Sequence, residues 1–314
     1  MLRFVAGGLL FNTDGKGNNV DQEQDPGHRG QETNYERALR YSDFNIVGES
    51  PLPVYHSISS PSNPLLKDVR KAILRGTLTS EGDCVAESFH LLEEAFRSQS
   101  SISALLAAES ARGLLESRLQ AKPELRVALI PDRVFESVAG TKTSQGVIAL
   151  VTPGRWRIDQ MFTLSSLVLV LDGVQDPGNA GTLVRAAEAF GVSGVIFVKG
   201  TASPFHPKTL RASAGSLFRI PYVESVDPVI ARAALQRNRL TVFSGMPGGT
   251  ENAFARANFR EPCAFVIGNE GNGVGPEFRS GATAISIPTA GVESLNASIA
   301  GAIFLYEAYR QRTA

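Results

Sequence analysis

The feature that most constrains this chain is SLVLVL, residues 166 to 171, which leads straight into the turn-rich stretch DGVQDPGNAG. Five apolar residues in succession leave a strand no polar side, so both of its faces must be covered. Similar runs follow at GVIFVK, LTVFSG, CAFVIGN and AISIP. Helical patterns separate or close them: TLVRAAEAF, KTLRASAGSLF, DPVIARAALQRN and the long final SLNASIAGAIFLYEAYRQ. Continuous apolar strands alternating with helices predict an α/β fold, a mainly parallel sheet covered on both faces. Such sheets bind ligands at the carboxyl ends of their strands.

A chain of 314 residues has room for more than this one sheet. From about Ser57 to Val151 a second α/β unit is predicted. NPLLKDVRKAIL reads as a helix with Leu65, Leu66, Val69 and Ile73 on one side and Pro64 in its first turn. Lys67, Arg70, Lys71 and Arg75 recur at helical spacing on the other side, a candidate RNA-phosphate stripe. ESFHLLEEAF and PDRVFESVAG read as helices, and ISALLAAE, RVALIP and GVIALV as strands. TPGRWRIDQMFTLS has no periodicity, so the linker is placed at 153–165, between a unit at 51–152 and one at 166–314. Residues 1–50 are expected to be a disordered N-terminal extension, its stretch 12–36 being almost without apolar residues.

Lys and Arg total 31 and Asp and Glu total 31, so a partner attracted by bulk positive charge is not indicated, although a local patch can still bind a polyanion. No apolar run reaches the about 18 residues of a membrane span. Cys84 and Cys263 have no metal-ligand spacing and are expected to be reduced thiols of a cytoplasmic protein, with no metal.

Three turns carry the chemistry. In the first, Asn179 is placed as a helix cap, and Arg185 points away from the stripe made by Leu183, Ala187 and Phe190, free to face a site. The second, FVIGNEGNGVGPE, encloses one carboxylate, Glu270, among four glycines. It lacks the Lys-Ser/Thr ending of a phosphate loop and is expected to clasp a flat, less anionic ligand. In the third, SIPTAGVESLNASIAG, Ser294 is placed as the cap of the last helix with Asn296 in its first turn. Ala297, Ala300 and Gly301 keep that helix slim. No histidine lies in these turns, which argues against Ser294 as an activated nucleophile.

Taken in order, DPGNAGTLVRAAEAFG, IGNEGNGVGPE and IPTAGVESLNASIA resemble the three motifs of the SpoU/TrmH class of RNA ribose 2′-O-methyltransferases, in the SPOUT superfamily. The N-terminal unit resembles an L30e-like substrate-binding domain through SNPLLKDVRKAI and TKTSQGVIALV; its usual Val-Glu-Gly element is present only as Ala86-Glu87-Ser88. The resemblance implies a parallel sheet with a C-terminal trefoil knot, one of the rare exceptions to unknotted chains. It implies S-adenosylmethionine as cofactor, RNA as substrate, ribosomal rather than transfer RNA, and a homodimer. Carried over by motif, Gly268, Ile287 and Leu295 line the cofactor pocket, while Asn179, Arg185, Glu270, Ser294 and Asn296 surround the reacting ribose. The family's motif-one arginine is often assigned as the base; since a guanidinium keeps its proton, an anchoring role for Arg185 is the expectation here. A knotted RNA-binding protein without catalysis, or a Rossmann-type nucleotide enzyme, are the alternatives; the latter needs a glycine fingerprint that the first turn lacks.

Overall fold

A computed structural model describes residues 54–119, 125–141, 143–250 and 256–314, with the side chains of 247–250 left aside. The segment expected to be disordered lies outside these residues. All of the described residues belong to one compact unit, Thr33–Ala314, and form two sheets.

The first sheet is built from β1 (Val54–Ser57), α1 (Pro64–Arg75), β2 (Cys84–Glu87), α2 (Phe89–Arg97), β3 (Ile102–Ala108), α3 (Arg112–Leu119), β4 (Arg126–Ile130), α4 (Asp132–Glu136) and β5 (Val147–Val151). Its order is β1-β4-β3-β5-β2, with β5 antiparallel to both its neighbours and the other pairs parallel. Asn63 caps α1 by accepting from the Leu65 N–H, and Pro64 takes the first helical position, where a missing N–H costs nothing. Leu65, Leu66, Val69 and Ala72 bury one face, and the helix stops at Gly76, whose φ of +63° closes it in the left-handed region.

The second sheet holds β6 (Leu167–Asp172), α5 (Pro177–Ala189), β7 (Gly194–Val198), α6 (Pro207–Ser213), β8 (Tyr222–Val226), α7 (Pro228–Arg237), β9 (Thr241–Thr250), β10 (Cys263–Gly268), α8 (Pro276–Arg279), β11 (Thr283–Ile285) and α9 (Ala297–Thr313). The order is β11-β9-β10-β6-β7-β8, parallel throughout. Leu167 to Leu171 are all buried, as are all six residues of β10. Each large aliphatic side chain buried in these central strands contributes roughly 1.5–3 kcal/mol.

Several elements differ from the periodicity reading. KTLRASAGSLF does not run on as one helix: Ala214 and Gly215 are left-handed, with φ of 48° and 88°, and a separate 3₁₀ turn follows at Ser216–Phe218. PDRVFESVAG is helical only over Asp132–Glu136. β1, β2, β8 and α3 have too little apolar alternation to be read from sequence.

The two sheets share a core. Phe89, Leu91 and Leu92 of α2 belong to the same apolar cluster as Leu217, Ile220 and Tyr222. A charged cluster reinforces it: Arg219 donates to the buried Glu94 at 2.6 Å and to Glu188 of α5 at 2.5 and 3.0 Å. Burial works to raise the Glu94 carboxyl, but the hydrogen bonds and charges of Arg219 and Arg97 hold it below the usual range. Both cysteines are free and buried; burial pushes the Cys84 thiol up to about 12 and that of Cys263 up to about 11, so neither is a ready nucleophile.

Candidate functional site

β6 and β10 pair with Asp172 opposite Gly268, so both strands end at one crevice. The glycine-rich loop after β10 is pinned there at several points. Asn269 and Gly273 exchange backbone hydrogen bonds of 3.0 and 2.9 Å, which folds the loop back on itself. The Asn269 amide donates to the Gly173 carbonyl at 2.9 Å, and its oxygen accepts from the Gly271 and Asn272 N–H groups. The Gly275 N–H donates to Asp172 at 2.6 Å, and the Arg279 guanidinium donates to the carbonyls of Val274 and Asn272. Burial raises the Asp172 carboxyl, with the Gly275 bond acting partly against it.

The corrected helix caps explain how the three turns meet. Asn179 does not cap α5; Asp176 does, accepting from the Asn179 N–H at 2.8 Å, with Pro177 at the first helical position. The Asn179 side chain is thereby released, and it donates to Glu270 at 2.9 Å. Nor does Ser294 cap the last helix: Asn296 does, its oxygen accepting from Ser298 and Ile299. The other end of the Asn296 amide donates to the Asn179 oxygen at 3.1 Å. Both amides are fixed in orientation by this chain, since an ionised carboxylate only accepts and a helix N-terminus only donates. Burial works to raise the Glu270 carboxyl, but the Asn179 amide and the N–H groups of Glu270, Gln175 and Asp176 hold it below the usual range. Glu270 is therefore ionised at neutral pH.

Beside this chain lies a cavity of about 750 Å³. Gly268, Ile287 and Leu295 line it, together with Glu270, Ser294 and Asn296. Gly268 has no room for a side chain: a Cβ there would lie 2.2 Å from the Gly273 carbonyl carbon and 2.3 Å from the Val274 nitrogen. Ser294 is exposed at the rim. Asn179 and Arg185 are not part of the wall. Arg185 is exposed six residues beyond Asn179, about 9 Å along the helix axis, with no hydrogen bond or ion pair among the described residues.

Of the basic residues singled out on α1, Lys67, Lys71 and Arg75 are exposed, whereas Arg70 donates to the Ser137 carbonyl and hydroxyl at 2.9 Å each. The sequence reading missed Asp172 and Asn269 as parts of the site. A carboxylate closing an otherwise apolar strand was the available signal for Asp172.

The profile of the SpoU rRNA Methylase family matches residues 166–306, and that of the MRM3-like substrate binding domain matches residues 63–149. An uncharacterized tRNA/rRNA methyltransferase of Synechocystis is 33% identical over 82% of this chain and 95% of that protein. The 23S rRNA (guanosine(2553)-2′-O)-methyltransferase RlmP of Bacillus subtilis is 30% identical over 79% of this chain and 97% of its own. Among solved structures, the SpoU methyltransferase AviRb of Streptomyces viridochromogenes in complex with the cofactor AdoMet superposes with a TM-score of 0.69 at 25% identity, covering 80% of this chain and 99% of that one. An AdoMet-bound rRNA methyltransferase from Sinorhizobium meliloti superposes at 0.66 with 27% identity, covering 82% and 98%.

Proposed function

We infer that this chain, which belongs to the SpoU rRNA methylase family, transfers methyl from S-adenosylmethionine to a ribose 2′-hydroxyl of RNA, and that its substrate is ribosomal RNA. The observation that carries the reading is the hydrogen-bonded chain Glu270–Asn179–Asn296 beside a cavity lined by Gly268, Ile287 and Leu295.

The residues present fit the cofactor. The cavity volume of about 750 Å³ falls within the ordinary range for small-molecule sites. Gly268 lets the Gly273–Val274 backbone close tightly over the end of β10 and so shape the loop that walls the cavity, and Ile287 and Leu295 offer apolar walls for a flat ring. Bound there, S-adenosylmethionine would supply an activated sulfonium methyl, so the protein's task is alignment.

In this reading Glu270 and Asn179 orient the ribose hydroxyl, Asn296 fixes the Asn179 amide, and Ser294 offers a hydroxyl at the rim. Arg185 anchors an RNA phosphate. A general base has to reach within hydrogen-bond distance of the proton it removes. The placement of Arg185 about 9 Å along α5 from Asn179, with a guanidinium that has no partner among the described residues, supports the anchoring role.

Finer features belong to the same reading. A trefoil knot is supported by β11 lying beyond β9 at the sheet edge while α9 returns to pack on α5 and β10. Gly301 permits that close return, with Leu183 and Ile267 against it. An L30e-like RNA-binding unit at 51–152 and a linker at 153–165 complete the organisation. A homodimer is supported by apolar exposure on α9, where Ile299 and Tyr306 are each 53% exposed beside a groove of about 320 Å³. Among the described residues no helix is long and apolar enough to cross a membrane, and a cytoplasmic location goes with the ribosomal substrate.

The test is methyl transfer from labelled cofactor into total RNA from cells lacking this gene, wild type beside Arg185→Ala, with nucleoside analysis. A 2′-O-methylated nucleoside made by wild type alone is the expected result. Cofactor binding without transfer to any RNA fraction would instead favour a non-catalytic RNA-binding role.

A further inference from the structure

α1, the helix with the exposed cations Lys67, Lys71 and Arg75, ends against the catalytic sheet's own loops. Its last residue, Arg75, is followed by Gly76, and a Cβ at Gly76 would lie 2.7 Å from the His206 ring. His206 in turn caps α6, its Nδ1 accepting from the Lys208 N–H at 3.1 Å. Lys208 then reaches across to α5: its ammonium donates to Asp176 at 2.6 Å, and its terminal methylene lies 3.0 Å from where a Gly178 Cβ would stand. Asp176 and Gly178 immediately precede Asn179.

His206 thus packs on the end of the basic helix of the first sheet, while Lys208, two residues on, holds the start of the helix that opens the site. A structural role, clamping the α5 cap, uses one of its three donors. The side chain remains 52% exposed, and its Asp176 partner 43%, so both the other donors and the solvent beside them are open. Arg211, one turn further along α6, adds positive charge: it lies 3.7 Å from the buried Glu87, and its Nη1 has no hydrogen-bond partner among the described residues. Asp176 and Glu87 offset part of this charge, and α1 itself carries Asp68 between Lys67 and Lys71.

We propose that Lys208 is a positioning residue that contacts an RNA phosphate next to the reacting ribose, as the link in a basic track running from Lys71 and Arg75 of α1 to the Asn179 end of α5. The proposal rests on the RNA methyltransferase reading. It assigns to the first unit a fixed path to the site, set by the packing of Gly76 on His206.

The test compares wild type, Lys208→Gln and Lys208→Arg on ribosomal RNA transcribed in vitro without modification. RNA affinity is measured across a salt series, methyl transfer as kcat and KM, cofactor affinity by calorimetry, and stability by thermal unfolding. Lys208→Gln should raise the RNA Kd and KM about three- to tenfold and reduce the slope of log K against log salt by about 0.7–0.9, the loss of one phosphate contact. Cofactor affinity should be unchanged, and Lys208→Arg should restore the slope. A lower melting temperature for Lys208→Gln with an unchanged slope and KM would overturn the proposal and leave only the clamp on the α5 cap. Wild type that binds no RNA would overturn the methyltransferase reading along with it.

Discussion

Replacing Gly268 by alanine is the most direct probe of the cofactor cavity. The added methyl would meet the Gly273 carbonyl carbon at 2.2 Å, the Val274 nitrogen at 2.3 Å and the Gly273 oxygen at 2.4 Å. Ordinary carbon contacts begin about 1 Å further out. The obstacle is backbone, so no rotamer change relieves it. The loop is held by the Asn269–Gly273 pair, by Gly275 on Asp172 and by Arg279 on Val274. Breaking two such bonds costs about 1–3 kcal/mol, and forcing β10 outward costs a similar amount as overpacking. Gly268→Ala should therefore destabilise the protein by roughly 2–6 kcal/mol in urea unfolding. Calorimetry with S-adenosylmethionine should register at least about a tenfold loss of affinity, since 1.4 kcal/mol suffices for that. Gly271→Ala serves as the stability control: the nearest atom to its Cβ is the Asn269 oxygen, at an ordinary 3.5 Å. A Gly268→Ala protein with wild-type stability and cofactor affinity would refute the assignment of Gly268 to a closed backbone cradle.

Asp172→Ala removes the acceptor for the Gly275 N–H and should weaken cofactor binding several-fold, with Asp172→Asn, which keeps an acceptor, affected less; calorimetry on both separates these outcomes. Arg219→Ala removes one of the two guanidinium partners of the buried Glu94, leaving Arg97, and should cost about 1.5–3 kcal/mol at neutral pH, measured by urea unfolding. Because the Glu94 carboxyl is depressed in the folded protein, the stability it contributes is present above the ordinary glutamate range and is lost as pH falls through the lower folded value. The gap between wild type and Arg219→Ala should accordingly narrow as the pH falls below about 4, and a gap that stays constant there would remove Glu94 from the account. For the homodimer proposed through α9, Ile299→Asp places a charge on the exposed apolar face and should shift sedimentation from dimer to monomer without loss of helicity, whereas a wild type that already sediments as a monomer would refute that proposal.

How much could be read without the structure depended on how local each cause is. The buried strands were legible at Leu167 to Leu171 and at Cys263 to Gly268 because burial on both faces writes itself into consecutive residues. The end of α6 was not, because Ala214 takes a left-handed conformation that its residue type does not announce. The caps failed for a different reason. Asp176 and Asn179 are both good capping residues, as are Ser294 and Asn296, so propensity alone does not rank them. What decides the first pair is Glu270, ninety-one positions away, which claims the Asn179 amide and leaves the cap to Asp176. The second pair follows from the first, since the Asn296 amide spans the α9 N-terminus and the Asn179 oxygen at once. One long-range carboxylate thus sets the roles of four polar residues. On that logic Glu270→Gln, whose amide can present a donor to Asn179 where the carboxylate only accepts, should disturb Asn296 and the start of α9, not merely the loop that bears the change.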